Sequence, residues 1–380
     1  MRIAHVIPNL ARGGAERLTL DVVHHLRQLG HEAEIFCLEN TYLYRSDYPL
    51  IQPIVIEDHF KPSLKKPLLG PSRDTLCLEL EKWKPDVVHS HLWAAEVALV
   101  PYWKAPRFVT HVHDNMPQLS ASLGAKKLQR RALTDSYERF LVLRSWRKKK
   151  ARLLCISKDA MAYIQCHTPR SIARNALYWP NAIDIERFRT WQGKSRIPKE
   201  GRPLTLVNAG SFVPKKNQAF LLEVLRSLIS TYQTDARLIL LGEGPLREEV
   251  IQKAREMGLS EKVEIPGNVA QVENWFQRAD IYVHSALYEP FGLVILEAMA
   301  AGLPVVALDG RGNRDFMQDG KNGYLIPQAE AGVFAEKIWN IHHHESLRQK
   351  FIQAGLATAE NYDMRRYCEK LLQEVYGVPT

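Results

Sequence analysis

Ser285-Ala-Leu-Tyr-Glu289-Pro-Phe-Gly-Leu-Val-Ile-Leu-Glu297 is the stretch that decides how this chain folds, read with Ile281-Tyr-Val-His284 before it and Gly302 and Pro304-Val-Val-Ala-Leu308 after it. The flanking apolar runs are strand-length, and the segment from Leu293 to Gly302 is helical in pattern, so the unit reads strand, loop, helix, strand. Glu289 stands in the loop beside Pro290 and Gly292, whereas Glu297 lies in the first turns of the helix. In such units ligands gather at the carboxyl ends of the strands, where helix N-termini point backbone amides at anions. Carboxylates suit neutral hydroxyls and amides suit a phosphate. A sugar carried on a nucleotide diphosphate offers both.

Working outward, the same alternation runs through the second half. Leu204-Thr-Leu-Val207 reads as a strand, followed by a loop at 210–217, a helix from about Gln218, the strand Arg237-Leu-Ile-Leu-Leu241, a Gly242-Glu-Gly244-Pro turn and the strand Lys262-Val-Glu-Ile265. The first half repeats the pattern. Ile3-Ala-His-Val-Ile-Pro8 leads through a loop ending in Gly13-Gly14 to a helix with Leu18, Val22, Leu26 and Leu29 on one face, then to Ala33-Glu-Ile-Phe36. Further strands are expected at 86–89, 107–110 and 152–156, and a turn-rich segment from Asn181 to Pro203 separates the halves. Alternation of this kind predicts parallel sheets covered by helices on both faces. The 380 residues exceed what one hydrophobic core usually serves, so two domains of roughly 150–200 residues each are expected.

Composition narrows the class. With 46% hydrophobic and 24% charged residues the chain reads as globular throughout. No run reaches the ~18 apolar residues of a membrane span, and the first strand is too short for a signal-peptide core, so a cytoplasmic protein is expected. Cys37, Cys77, Cys155, Cys166 and Cys368 are scattered without a C-x-x-C pair, which suggests neither a disulfide framework nor a cysteine zinc site. His342-His-His344 sits in a helical stretch and reads as a solvated face with incidental metal affinity. Gly13-Gly14 lacks the G-x-G-x-x-G pattern of a dinucleotide site; glycine there lets a backbone approach a diphosphate or an acceptor, although connecting glycine turns are at least as common.

The Glu289–Glu297 pattern resembles the E-x7-E signature of retaining glycosyltransferases of the GT-B fold, in particular the large bacterial family 4 ("group 1") that makes glycolipids and polysaccharides. The resemblance covers nearly the whole chain. It implies an α/β protein of two Rossmann-like, doubly wound domains facing one another across a cleft, with residues 1–183 binding acceptor, 184–363 binding nucleotide sugar, and 364–380 forming a helix that returns to the first domain. It implies that Glu289 holds the donor sugar, that Pro290, Phe291, Gly292 and Leu293 contact sugar and phosphates, and that Glu297 binds the ribose. Gly210-Ser-Phe-Val-Pro-Lys-Lys216-Asn resembles the family's Gly-Arg-Leu-x-x-x-Lys-Asn segment, which puts Gly210 and Lys216 at the pyrophosphate; Ser211 stands where the family has arginine, so Lys216 or Lys215 must carry more of the charge. Gly13-Gly14 matches the family's Gly-Gly-Ala-Glu segment and brings Gly14 into the donor set. Gly242, Asn268 and Val269 fall in turns resembling those at the nucleotide end, without distinguishing one base from another. Thr110-His-Val-His113-Asp114 matches the family's histidine motif; His113 fits best beside the sugar, with His111 as the alternative, and an imidazole suits a role that tolerates charge change near neutral pH.

The activity so implied is transfer of a sugar from a nucleotide-diphosphate sugar to a hydroxyl of a cell-envelope, polysaccharide or lipid-linked acceptor, with retention. No bound cofactor and no metal are expected, since no Asp-x-Asp triplet is present and Asp184-Ile-Glu186 falls in a linker turn. Another GT-B enzyme, such as an epimerase or a sugar phosphorylase, and an inactive regulatory subunit of the same fold are the alternatives. The formal charge of +9 is concentrated at Lys126-Lys127, Arg130-Arg131 and Arg144-Ser-Trp-Arg-Lys-Lys-Lys150, among Leu128, Leu133, Phe140, Leu141 and Trp146. Such a surface suits anionic lipid at the inner face of the plasma membrane or a lipid-diphosphate acceptor, and solvated helix faces are the equal alternative. No nucleic-acid-binding motif accompanies the charge.

Overall fold

The computed structural model describes residues 1–61, 74–120, 130–189 and 201–378. They form two compact units, Met1–Asn181 with Met364–Thr380, and Ala182–Asp363.

In the first unit the strands β1 (Arg2–Ile7), β2 (Glu32–Cys37), β3 (Ile54–Val55), β4 (Val87–His91), β5 (Arg107–Val112), β6 (Arg152–Cys155) and β7 (Ala176–Tyr178) make one sheet in the order β3-β2-β1-β4-β5-β6-β7. Every pairing is parallel. Helices cover both faces, which is why β1 and β4 read as continuous buried runs rather than alternating ones. Helix starts are set locally: the Asp74 carboxylate accepts from the Cys77 amide at 2.9 Å ahead of the helix Thr75–Trp83, and Ser157 Oγ accepts from the Ala160 amide at 3.1 Å ahead of Lys158–His167. The chain ends as a helix Met364–Lys370 running into a wider turn Leu371–Tyr376. Leu371, Val375 and Tyr376 are buried in this unit, where the Arg152 guanidinium donates to the carbonyl of Val375 at 3.3 Å.

In the second unit β8 (Leu204–Ala209), β9 (Ala236–Leu241), β10 (Val263–Gly267), β11 (Ile281–His284), β12 (Val305–Leu308) and β13 (Tyr324–Ile326) form a parallel sheet in the order β10-β9-β8-β11-β12-β13. The helix Gln218–Ser230 packs Phe220, Leu221, Val224, Leu225 and Leu228 into a core shared with β8, β9 and β11. Both sheets thus switch direction of winding at one point, between β1 and β4 and between β8 and β11, and chains leaving those strands diverge there to open a crevice at their carboxyl ends.

Three strands absent from the sequence reading, β3, β7 and β13, are sheet edges of two or three residues, too short to leave an apolar run. Within the turn-rich linker the segment Ile185–Phe188 is a helical turn, so Asp184-Ile-Glu186 leads into regular structure.

The basic segment needs the largest correction. Lys126, Lys127 and Leu128 lie outside the described residues, as do the side chains of Arg130 and Arg131. In the helix Arg130–Lys149, Leu141 and Trp146 are core residues, whereas Leu133 and Phe140 are exposed. Lys149 is turned inward: Nζ donates to the Leu99 carbonyl at 2.6 Å and lies 4.8 Å from the Phe108 ring centroid, and burial pushes its pKa down to about 7. Arg144, Arg147, Lys148 and Lys150 form the solvent-facing part, with Lys148 Nζ 3.6 Å from the Trp103 centroid. Near the C-terminus His343 and His344 are exposed at the end of the helix Ala331–His343 and His342 is half-buried.

Candidate active site

Glu289 enters the core of the second unit as a charge, and everything around it follows from that. It is 7% exposed. Lys216 Nζ donates to its Oε2 at 2.5 Å, and His284 Nε2 donates to the same oxygen at 2.9 Å. The hydroxyl of Tyr282 stands 3.1 Å from His284 Nδ1 and donates to it when His284 is neutral. Burial lowers the His284 pKa despite the carboxylate beside it, which agrees with that tautomer. For Glu289, burial pushes the pKa up, but the Lys216 charge and the His284 hydrogen bond outweigh it and hold the carboxyl well below the usual range. The pair is therefore a fixed dipole with no net charge.

The backbone is built to bring these groups together. The Lys216 carbonyl accepts from Ser285 Oγ at 2.8 Å and the Lys215 carbonyl from the Leu287 amide at 2.9 Å, tying the loop after β8 to the loop after β11. The Glu289 amide donates to the Gly310 carbonyl at 2.8 Å, and the Gly312 amide donates to the Glu289 carbonyl at 3.0 Å. A Cβ on Gly310 would lie 2.6 Å from that of Glu289, and one on Gly312 would lie 2.0 Å from the Pro290 carbonyl oxygen, so no larger residue fits at either place. Buried Asn313 locks this crossing by accepting from the Gly310 amide and donating to the Leu308 carbonyl, each at 2.9 Å. Gly292, at φ +105°, turns the chain into the helix Leu293–Ala300.

On the other side of the switch point, three loops interlock through main chain. Gly210 N donates to the Leu241 carbonyl, Phe212 N to the Glu243 carbonyl and Gly242 N to the Gly267 carbonyl, each at 2.9 Å. Gly242 and Gly244 have positive φ, and an added Cβ would meet the backbone of Gly210 at 2.2 Å or of Phe212 at 2.5 Å. Gln218 Nε2 donates to the carbonyls of Gly210 and Ser211 at 3.1 and 3.0 Å, which fixes their orientation.

Of the residues expected from sequence, Gly210, Ser211, Lys216, Gly242, Glu289, Pro290, Gly292, Leu293 and Glu297 lie on the loops and first helical turns at the carboxyl ends of β8, β9 and β11. Glu297 is half-buried on the helix, and Ser211 and Lys215 are exposed. The Phe291 ring is buried against Phe316 and Tyr362, with centroids 5.3 and 5.8 Å away, so any ligand contact from this residue falls to its main chain. Asn268 is exposed and Val269 half-buried just past β10. Gly14 and His113 belong to the first unit. Gly14 is exposed at the start of the helix Gly14–Gln28, and the preceding Gly13 amide donates to the Tyr44 hydroxyl at 3.1 Å.

His113 is buried, with Nε2 2.9 Å from His91 Nδ1 and its ring stacked on His111 at 4.2 Å between centroids. Burial first, and His111 second, hold its pKa well below 6.5. That direction runs against a role resting on charge change near neutral pH and favours the neutral ring. Sequence reasoning missed His284, Gln218, Asn313, Gly310 and Gly312. The signal for the last three was present as Asp309-Gly-Arg-Gly-Asn313 directly after a strand.

Because the folded Glu289 carboxyl titrates below its unfolded value of 4.5, its stabilisation is complete above that pH and is lost as pH falls toward the folded value. Glu289→Gln leaves Lys216 without its counter-charge and is expected to cost about 3 kcal/mol of unfolding free energy near neutral pH. Denaturant titrations of parent and variant should converge as the pH drops below the unfolded value; a gap that is constant with pH rules the ion pair out as its source.

Comparison with known proteins agrees with this architecture. Residues 12–187 match the family model described as Glycosyltransferase Family 4, and residues 190–358 match Glycosyl transferases group 1. The lipopolysaccharide core biosynthesis glycosyltransferase LpsE of Rhizobium meliloti is 30% identical over 202 residues, covering 51% of this chain and 58% of that protein. A phosphatidyl-myo-inositol mannosyltransferase of Mycolicibacterium smegmatis is 24% identical over 375 residues, 96% of this chain and 90% of that one. With several curated relatives the match spans only about half of their own length. Among solved structures, Anabaena Alr3699/HepE in complex with UDP and glucose superimposes with a TM-score of 0.76 at 19% identity over 100% of both chains. WaaG, a glycosyltransferase involved in lipopolysaccharide biosynthesis, does so with 0.70 at 17% identity, over 99% of this chain and 100% of that one. The two family matches between them take in most of the chain, which belongs to the family 4 glycosyltransferases and has their GT-B fold.

Proposed function

We propose that this protein transfers a sugar from a nucleoside diphosphate sugar to a hydroxyl of a cell-envelope glycan or lipid-linked acceptor, with retention and without a catalytic metal. The observation that carries the reading is the Lys216–Glu289–His284 group at the switch point of the second unit, held by glycine loops that pack main chain against main chain at Gly242, Gly244 and Gly312. Both bonds to Glu289 converge on Oε2, so Oε1 is assigned to a hydroxyl of the donor sugar. An ammonium has three donors, and Lys216 spends one on Glu289; the others are assigned to the pyrophosphate, with the Gly210 loop and the N-terminus of the helix Leu293–Ala300 supplying amides. Charge grows on the leaving phosphate in an oxocarbenium-like transition state, and donors already held in place lower that barrier without reorganising. Glu297 is assigned to the ribose and His113 to neutral hydrogen bonding with a substrate hydroxyl. The relatives named for lipopolysaccharide core biosynthesis and phosphatidyl-myo-inositol mannosyl transfer support an envelope acceptor, and the UDP complex of the Anabaena protein makes UDP the first nucleotide to test.

The two glutamates separate by calorimetry. Glu297→Gln should weaken both UDP and the UDP-sugar by about 1.5–3 kcal/mol, whereas Glu289→Gln should spare bare UDP and lose turnover. Equal loss of UDP affinity in both variants means the assignment of sugar and ribose is wrong.

Turnover is expected to be unchanged in EDTA. Abolition by the chelator, reversed by Mn²⁺, removes Lys216 and the amides from their role at the phosphate.

We further assign Arg144, Arg147, Lys148 and Lys150, with exposed Phe140, to an anionic membrane surface. Replacing Lys148 and Lys150 by Gln, and leaving inward-facing Lys149 alone, should cost about 1 kcal/mol per residue in binding to phosphatidylglycerol-containing vesicles. Equal binding by parent and variant at low and moderate salt makes these residues an ordinary solvated face.

A further inference from the structure

Five histidines, His5, His89, His91, His111 and His113, stand side by side on β1, β4 and β5 or one residue beyond at the switch point of the first unit. Register puts them there: His5 pairs with His89, and His91 with His111, while residues two apart on a strand share a face. The rings stack, with centroids of His5, His89 and His91 between 4.5 and 5.2 Å apart, and all three are buried. The glycosyl-transfer reading uses only His113. A stack of imidazoles this deep is expensive unless each nitrogen has a partner. His89 Nε2 and His5 Nε2 have none among the described residues.

We propose that His5, His89 and His91 form a site for a single divalent transition-metal ion of the zinc or cobalt type. One nitrogen from each ring lies within 4.8 Å of one nitrogen of each other ring. His5 Nδ1 and His91 Nε2 are already 2.9 Å apart, close to the ~3.3 Å that separates two ligands on a tetrahedral ion with bonds of about 2.0–2.1 Å. The ion takes the place of the proton shared between those two atoms, and the rings change tautomer without changing charge. His89 presents its unpartnered Nε2. The outer nitrogens of two of the three rings are already held, as ligating imidazoles require: His89 Nδ1 lies 2.6 Å from the Tyr376 hydroxyl, and His91 Nδ1 lies 2.9 Å from His113 Nε2. Neutral nitrogen donors select zinc, cobalt, nickel or copper and reject magnesium, calcium and manganese. Three protein ligands leave a fourth position for a solvent-derived ligand. The site is built from first-unit residues alone, and burial couples its loading to folding.

The test uses the full chain carrying His343→Ala and His344→Ala, which removes the exposed histidines as competing ligands. It is produced with Co²⁺ or Zn²⁺ in the medium and, in parallel, refolded with Co²⁺. The expected result is one ion per chain by elemental analysis, with the absorption of four-coordinate Co²⁺. His89→Gln should lose the ion and His111→Gln should keep it, and Tyr376→Phe should weaken Co²⁺ about 10–100-fold by losing the outer hydrogen bond. Circular dichroism of each variant separates loss of the ion from loss of the fold. No stoichiometric ion in the parent, or an unchanged one in folded His89→Gln, reduces the five rings to neutral packing and overturns the site.

Discussion

A carboxylate that is nearly shut away from water stays ionised only if a cation and a hydrogen-bond donor are held against it, and in the second unit that requirement falls on Glu289. Lys216 and His284 meet it from two different loops, at 2.5 and 2.9 Å. Neither could do so if the chain after β12 could not pass within a glycine's width of Glu289 and Pro290. Asn313 then holds the crossing shut. The charge pair, the loop tie through Ser285 and the glycine pair Gly310 and Gly312 are thus one device. It holds the ammonium and the carboxylate in position, so that on the proposed reading Lys216 would not lose side-chain entropy on meeting a phosphate.

Much of this was legible in the sequence. Strands buried on both faces are apolar runs, and the runs at 204–207, 237–241, 281–284 and 304–308 each lie on or within one residue of a strand. The edge strands were not legible, because two or three residues at a rim bury too little to leave a pattern. His284 was hidden for a different reason: at the end of an apolar strand a histidine is more often core than site, and only the fold brings Glu289 back onto it. Phe291 shows a different gap. A motif marks which residues stand near a ligand without saying which face of each looks at it, and here an aromatic ring in a loop serves the core.

Lys149 is the instructive case. Four basic residues in a row, Arg147 to Lys150, read as one charged surface by composition. Helical period separates them. Leu141, Ser145 and Lys149 are four apart, and Trp146 precedes Lys149 by three, so Lys149 belongs to the same stripe as two core residues and one buried serine. Burial takes its ammonium out of water, and that loss lowers its proton affinity despite the carbonyl and two aromatic rings that favour the charge. Charge clusters on helices therefore have to be divided by face before being assigned to a partner.

The two units wind in the same order yet treat their switch points oppositely. The second holds a fixed ion pair there, the first a stack of imidazoles that burial keeps neutral. Neutrality limits what His113 can do. A ring whose pKa is held well below 6.5 is a weak base, and general-base catalysis is effective when the catalytic pKa lies near the working pH. On the proposed reading, the acceptor hydroxyl must lose a proton as the glycosidic bond forms. The departing diphosphate gains negative charge in the same step, so its oxygen becomes a better proton acceptor as the reaction proceeds, while His113 does not. On that reading the leaving group is the base, and the protein's contribution would be to hold that group where Lys216 and the loop amides moderate its charge without removing its affinity for the proton.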